Sequence, residues 1–92
     1  MCENLDIFES IEKNDFQTFR KLIDNGIDVN IRDIFGNTPL HLAVMRNNAL
    51  MMWYLIKHKA GINTKNNFGE TPISLAVDYD SDLMLYVEEN FL

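Results

Sequence analysis

The segment Gly36-Asn37-Thr38-Pro39-Leu40-His41-Leu42-Ala43-Val44 returns as Gly69-Glu70-Thr71-Pro72-Ile73-Ser74-Leu75-Ala76-Val77, with every equivalent pair 33 positions apart. An internal period of this length is the mark of a repeat architecture. A unit so short cannot bury its own apolar face, so it has to stack on copies of itself as a solenoid with long exposed surfaces. Such surfaces bind more often than they catalyse.

The repeated core resembles the ankyrin repeat, whose consensus carries Gly-x-Thr-Pro-Leu-His-x-Ala and closes with Ala-Asp-Val-Asn. The closing segment is present as Gly26-Ile27-Asp28-Val29-Asn30 and as Ala60-Gly61-Ile62-Asn63, with Asn30 and Asn63 again 33 apart. The resemblance covers nearly the whole chain. It implies an all-α solenoid of stacked helix-turn-helix units with β-turn tips, a single domain over residues 1–92. The expected division is a degenerate first repeat over 1–32, a full second over 33–65 and a truncated third over 66–92.

Local chemistry supports these units independently. Thr38 and Thr71 are placed to cap helices, and Pro39 and Pro72 follow at the first helical position, where a missing N–H costs nothing. Leu40, Leu42, Ala43 and Val44 make the inner helix apolar nearly all round, and Ala43 and Ala76 are small where neighbouring helices must come close. Asn47-Asn48 and Asp80-Ser81-Asp82 then turn the chain, predicting outer helices over 49–58 and 83–89. In the first unit Leu5, Phe8 and Ile11 line one helix. Asn14-Asp15 turns, and Phe16, Phe19, Leu22 and Ile23 recur at helical spacing up to a terminating Gly26. Lys59 departs from the Gly of the consensus and leaves the end of the second outer helix open.

Ninety-two residues make one small domain that buries roughly 60 to 65% of its unfolded surface, so stability is expected to be modest. Charge interrupts the apolar residues at short intervals, and no run approaches the roughly 18 needed for a membrane span. The start Met1-Cys2-Glu3-Asn4-Leu5-Asp6 has neither the basic region nor the apolar stretch of a secretory signal. Cys2 is the sole cysteine, which excludes an internal disulfide and favours an intracellular, cytoplasmic setting.

Net charge is −6, unevenly spread: seven acidic and four basic residues in 1–32, one and four in 33–65, six and none in 66–92. The acidic end formed by Glu70, Asp78, Asp80, Asp82, Glu88 and Glu89 would repel nucleic-acid phosphates and favour a basic partner, or it serves as a solubilising face. Glu9, Glu12 and Lys13 on the first helix, and Glu88 and Glu89 where the second repeat has Leu55 and Ile56, suit faces that meet water. These ends predict a complete or nearly complete array.

Little in the sequence suggests catalysis. The resemblance assigns His41 to hydrogen bonds with the helix-start Thr38 and neighbouring backbone, and His58 falls at a helix end with no second His or Cys at metal-ligand spacing. A phosphate loop, a nucleophile elbow and a converging acid pair are all missing. The expectation is a non-enzymatic module without metal or cofactor.

Ankyrin repeats recognise partners through their β-turn tips and the exposed side of the inner helices. By position, the tips here are Arg32, Ile34, Phe35 and Asn37, then Lys65, Asn67, Phe68 and Glu70. The inner-helix positions are Glu12 and Lys13, Met45 and Arg46, and Asp78 and Tyr79. Phe35 and Phe68 sit in register one residue before each turn glycine, either as interface anchors or folded over their own turns. A second apolar stripe, Leu50 and Trp53 with Leu83 and Tyr86, falls where the outer helix usually carries charge. It would be a dimer seam, a second docking site, or packing between outer helices if the helix phase is one residue off. Asn30 and Asn63 stand where family members can be hydroxylated, although their ordinary task is to stitch the turn.

The expected function is therefore protein–protein interaction or scaffolding, with another protein as partner rather than nucleic acid or membrane. Self-association as a homodimer is one alternative. The Asn-, Ile- and Lys-rich composition suggests an AT-rich genome such as a parasite or virus, which makes an effector acting on a host protein another.

Overall fold

A computed structural model describes residues 3–78, with helices α1 (Glu3–Glu12), α2 (Phe16–Asp24), α3 (Pro39–Met45), α4 (Ala49–Lys57) and α5 (Pro72–Asp78) and no strand among them. The expected outer helix over 83–89 lies outside the described residues. Helices α1, α3 and α5 form an inner row, each packed on the next, while α2 and α4 form an outer row packed on α1 and α3 and on each other. The all-α repeat architecture expected from sequence is the one found.

Side-chain caps start the helices. Asp15, Thr38 and Asn48 accept the backbone N–H of Thr18, His41 and Met51, satisfying amides that have no carbonyl within the helix. Schellman geometry ends them. After α1, α2, α3 and α4 the residues Asn14, Gly26, Asn47 and Lys59 donate to Ile11, Ile23, Val44 and Ile56, and each following residue reaches one carbonyl further back. All four terminating residues are left-handed, with φ of 56°, 93°, 49° and 70°. Glycine and asparagine tolerate that region and lysine does so poorly, because its Cβ crowds the carbonyl. The departure at Lys59 therefore leaves the helix end in place and strains it. Lys59→Gly is expected to stabilise the fold by about 1 kcal/mol, raising the urea midpoint at constant slope. An unchanged or lower midpoint would refute this.

Between the two rows lies the core of Ile7, Ile11, Phe19, Ile23, Leu40, Ala43, Val44, Met51, Met52, Leu55, Ile56, Leu75 and Ala76. On α1 the buried residues are Ile7, Ser10 and Ile11, and Phe8, partly covered, packs against the core, so Ile7 joins the Phe8 and Ile11 read from sequence. Ile7 and Ile11 lie one helical turn apart in the core, while Ser10 returns its hydroxyl proton to the Ile7 carbonyl at 2.7 Å. Leu5 lies on α1 ahead of the residues whose side chains are described.

Candidate partner-binding surface

Two turns, at 33–37 and 66–70, precede the inner helices α3 and α5 and are built alike. Asp33 N–H donates to the Asn37 carbonyl and Gly36 N–H to the Asp33 carbonyl; Asn66 with Glu70, and Gly69 with Asn66, repeat the pattern. The Asp33 carboxylate accepts the amides of Phe35 and Asn37 at 2.9 Å, and the Asn66 carboxamide accepts those of Phe68 and Glu70 at the same distance. Sequence reading missed these two organisers, although Asp or Asn three residues before Gly is a turn signal.

Backbone and side-chain bonds join the tips to each other. Asn67 N–H donates to the Phe35 carbonyl at 2.9 Å and its carboxamide to the Ile34 carbonyl at 3.1 Å. Arg32 donates to the Gly36 carbonyl at 3.2 Å and also to the Lys65 carbonyl. Asn37 accepts from Asn66 at 2.8 Å, and Glu70 accepts from the same carboxamide at 3.0 Å. Arg32, Asn37 and Glu70 thus spend part of their hydrogen-bonding capacity holding the tips in register.

Register puts apolar side chains outward. Ile34 is 85% exposed, Phe35 51% and Phe68 71%. The two rings stack on each other across the repeats, centroids 6.5 Å apart and planes inclined by 26°. Each ring contacts its counterpart while staying open to solvent on its other side. Fixed aromatic rings lose little further rotamer entropy on binding, which suits them to anchor a partner.

His41 supports this surface from below. Its Nδ1 accepts the Thr38 N–H at 3.0 Å and lies 2.8 Å from the Thr38 hydroxyl, completing a capping box in which histidine stands where Glu or Gln is usual. Because Nδ1 is an acceptor, the ring proton sits on Nε2, which donates to the Glu70 carbonyl of the next tip at 2.8 Å. Burial pushes the imidazole pKa down; the Glu70 carbonyl opposes this and nearby Arg32 adds to it. The ring is therefore a neutral structural tie. Ser74, 33 positions later, forms a capping box with Thr71 and stays within it. Asn30 makes a further tie, accepting the Gly61 amide at 2.8 Å, in keeping with turn stitching.

On the inner row, Met45 is half-buried and Arg46 is exposed, with its guanidinium 3.2 Å from the Glu12 carboxylate. That exposed pair is worth at most about 1 kcal/mol, so an incoming carboxylate can compete for Arg46. Asp78 is the last residue of α5; its side chain and the whole of Tyr79 lie outside the described residues. At the other ends of the inner helices, Glu12, Asn14, Arg46, Asn47 and Asn48 line an open polar cleft of about 380 Å³. Its carboxylate is already paired with its guanidinium, and Asn48 donates to Asn14 at 2.8 Å.

On the outer row, Leu50 is 52% exposed and Trp53 half-buried, with the Lys57 ammonium 4.8 Å from its ring centroid. Leu83 and Tyr86 lie outside the described residues, so only half of the expected stripe is placed. Tyr54, one residue on, donates to the Asp24 carboxylate at 2.6 Å and ties α4 to α2, a link that sequence spacing did not reveal. His58 caps α4 through its backbone amide and sets its ring 4.7 Å from Tyr54. Among the described residues no cluster of three metal-ligating side chains occurs.

The family model for ankyrin repeats in three copies matches residues 7–89, and the chain belongs to the ankyrin repeat family. An ankyrin repeat protein of fowlpox virus (strain NVSL) is 46% identical over 39 residues, which are 42% of this chain and 9% of that protein. A second from the same virus is 35% identical over 52 residues, 56% of this chain and 8% of its own length. Ankyrin repeat domain-containing protein 46 of Rattus norvegicus is 39% identical over 46 residues, 50% of this chain and 20% of that protein. The aligned segments span a fifth or less of these curated relatives. Ankyrin repeats are generally protein–protein interaction modules and typically non-enzymatic.

Proposed function

We propose that this chain is a non-enzymatic binding module that holds a partner protein against its tips and the adjoining inner-helix face. The observation that carries the reading is the stacked, solvent-exposed pair Phe35 and Phe68, with Ile34 beside it, on turns tied to one another. Exposed aromatic anchors on a rigid base, with charge at the rim, have the composition of an interface centre. Arg32, Lys65, Arg46 and Glu70 set orientation at the rim, and Met45 adds adaptable apolar contact.

Self-association through Leu50 and Trp53 is the weaker alternative, since Trp53 is half-covered and its ring already carries Lys57.

The double substitution Phe35→Ala with Phe68→Ala tests the tip reading. Both rings are exposed, so the far-ultraviolet circular dichroism should be unchanged and the stability loss about 1 kcal/mol, the worth of one aromatic contact. Partner affinity should fall by about a hundredfold, as for two anchors worth 1 to 2 kcal/mol each. A folded double mutant that retains from lysate the same proteins as the wild type would reject the tips as the site.

A further inference from the structure

The charges on the tips differ in how they are spent. The Asp33 carboxylate is half-buried and takes two backbone amides of its own turn, while the Glu70 carboxylate takes the Asn66 carboxamide. Asn66 occupies the position of Asp33 one repeat on and does the same work without charge. The cations are placed otherwise. Arg32 and Lys65 are equivalent positions 33 apart, and both are exposed. Arg32 donates to neutral carbonyls and remains exposed, and the Lys65 ammonium has no acceptor among the described residues.

A row of two exposed cations thus runs across the tips alongside a row of two aromatic rings, while the nearest acids, Asp33 and Glu70, are less exposed. A partner crossing both rows meets the two exposed cations beside apolar surface, although the whole chain carries −6. The complementary segment carries acidic side chains interleaved with aromatic or aliphatic ones.

We propose that the tip surface takes an acidic peptide segment bearing aromatic or aliphatic anchors, with Phe35 and Phe68 receiving the anchors and Arg32 and Lys65 the carboxylates. This rests on the tip reading above and names the chemistry of its partner. Other occupants fit less well. A basic segment would face Arg32 and Lys65.

Selection of short random peptides displayed on phage against the full chain, with counter-selection on the Phe35→Ala, Phe68→Ala double mutant, tests the proposal. The expected outcome is tip-dependent clones enriched in Asp and Glu next to Phe, Trp, Leu or Ile. Synthetic versions should lose about tenfold in affinity on Lys65→Glu and weaken at about 1 M salt, where the Debye length is about 3 Å. Tip-dependent clones that are neutral or basic would overturn the charge inference and leave the tip reading standing. An absence of tip-dependent clones would overturn both. Labelled oligo-dT, or a second copy of the chain, bound by wild type and lost from the double mutant, would overturn the peptide assignment.

Discussion

Replacing His41 by alanine is expected to cost about 3 kcal/mol and to bring the fold close to collapse. The ring is fully buried, and its removal leaves a cavity, strips the buried Thr38 amide of its acceptor and takes from the Glu70 carbonyl one of its two donors, the other being the Asn66 amide. A native domain has only about 5 to 15 kcal/mol in hand, and a short repeat array sits at the low end. His41→Ser separates the two tasks of the imidazole. Ser74 shows that serine completes the capping box with threonine at this position, its hydroxyl accepting the Thr71 amide at 2.9 Å. The serine variant should therefore keep the cap and lose the bond to Glu70, falling between wild type and alanine in urea denaturation. If alanine and serine variants are both as stable as wild type, the tie between tips carries no stability.

The same residue gives the stability a pH window. Burial depresses the folded-state pKa of His41 below the 6.5 of an unfolded chain, so the unfolded state binds more protons between the two values. The stabilisation is fully present above about pH 6.5 and is lost as pH falls through the lowered folded value, at up to about 1.4 kcal/mol per pH unit. Asp15 acts in a separate range. Thr18 holds its carboxyl below the ordinary 3.8, so its share persists until the pH falls below that value. Urea midpoints measured at about pH 7.5 and about pH 5.5 should diverge for wild type and remain closer for His41→Ser. Equal divergence in both would place the titration elsewhere.

The repeat was legible in the sequence because its determinants are local. Thr-Pro starts, Asn and Gly stops and small helix-contact residues act within a few positions of themselves, and Thr38, Pro39, Asn14, Gly26 and Asn47 do in the structure what those rules require. The burial of Ile7 on α1 was less legible. Apolar residues at positions 7, 8 and 11 offer more than one stripe, and the fold buries Ile7 and Ile11 fully and Phe8 in part. At the tips, sequence register located Phe35, Phe68, Arg32 and Lys65 and gave no sign of how they are engaged. The Arg32 bond to Lys65 and the Asn37 bond to Asn66 join positions 33 and 29 apart, and such bonds depend on how two repeats stack. That stacking also makes the two rings one surface.

Gly36→Ala and Gly69→Ala should differ sharply although the two glycines hold equivalent places with φ of 79° and 78°. Both substitutions incur the left-handed strain of an L side chain, about 1 kcal/mol. At Gly69 a Cβ would meet nothing within 4 Å, so strain is the whole cost. At Gly36 the Cβ would lie 2.6 Å from the Asn67 side-chain oxygen and 2.8 Å from the Asn67 backbone nitrogen. The side chain can swing away. The backbone nitrogen cannot, because moving it breaks its 2.9 Å bond to the Phe35 carbonyl and separates the tips. Gly36→Ala is thus expected to cost about 3 kcal/mol, the strain plus a broken inter-tip bond and its exposed partners. Since that bond also fixes Phe35 against Phe68, the folded fraction of Gly36→Ala should bind a tip-directed partner more weakly than Gly69→Ala does. Equal stability losses in the two variants would mean that the tips yield without cost, and a surface that yields so readily could not present its two rings as a fixed pair.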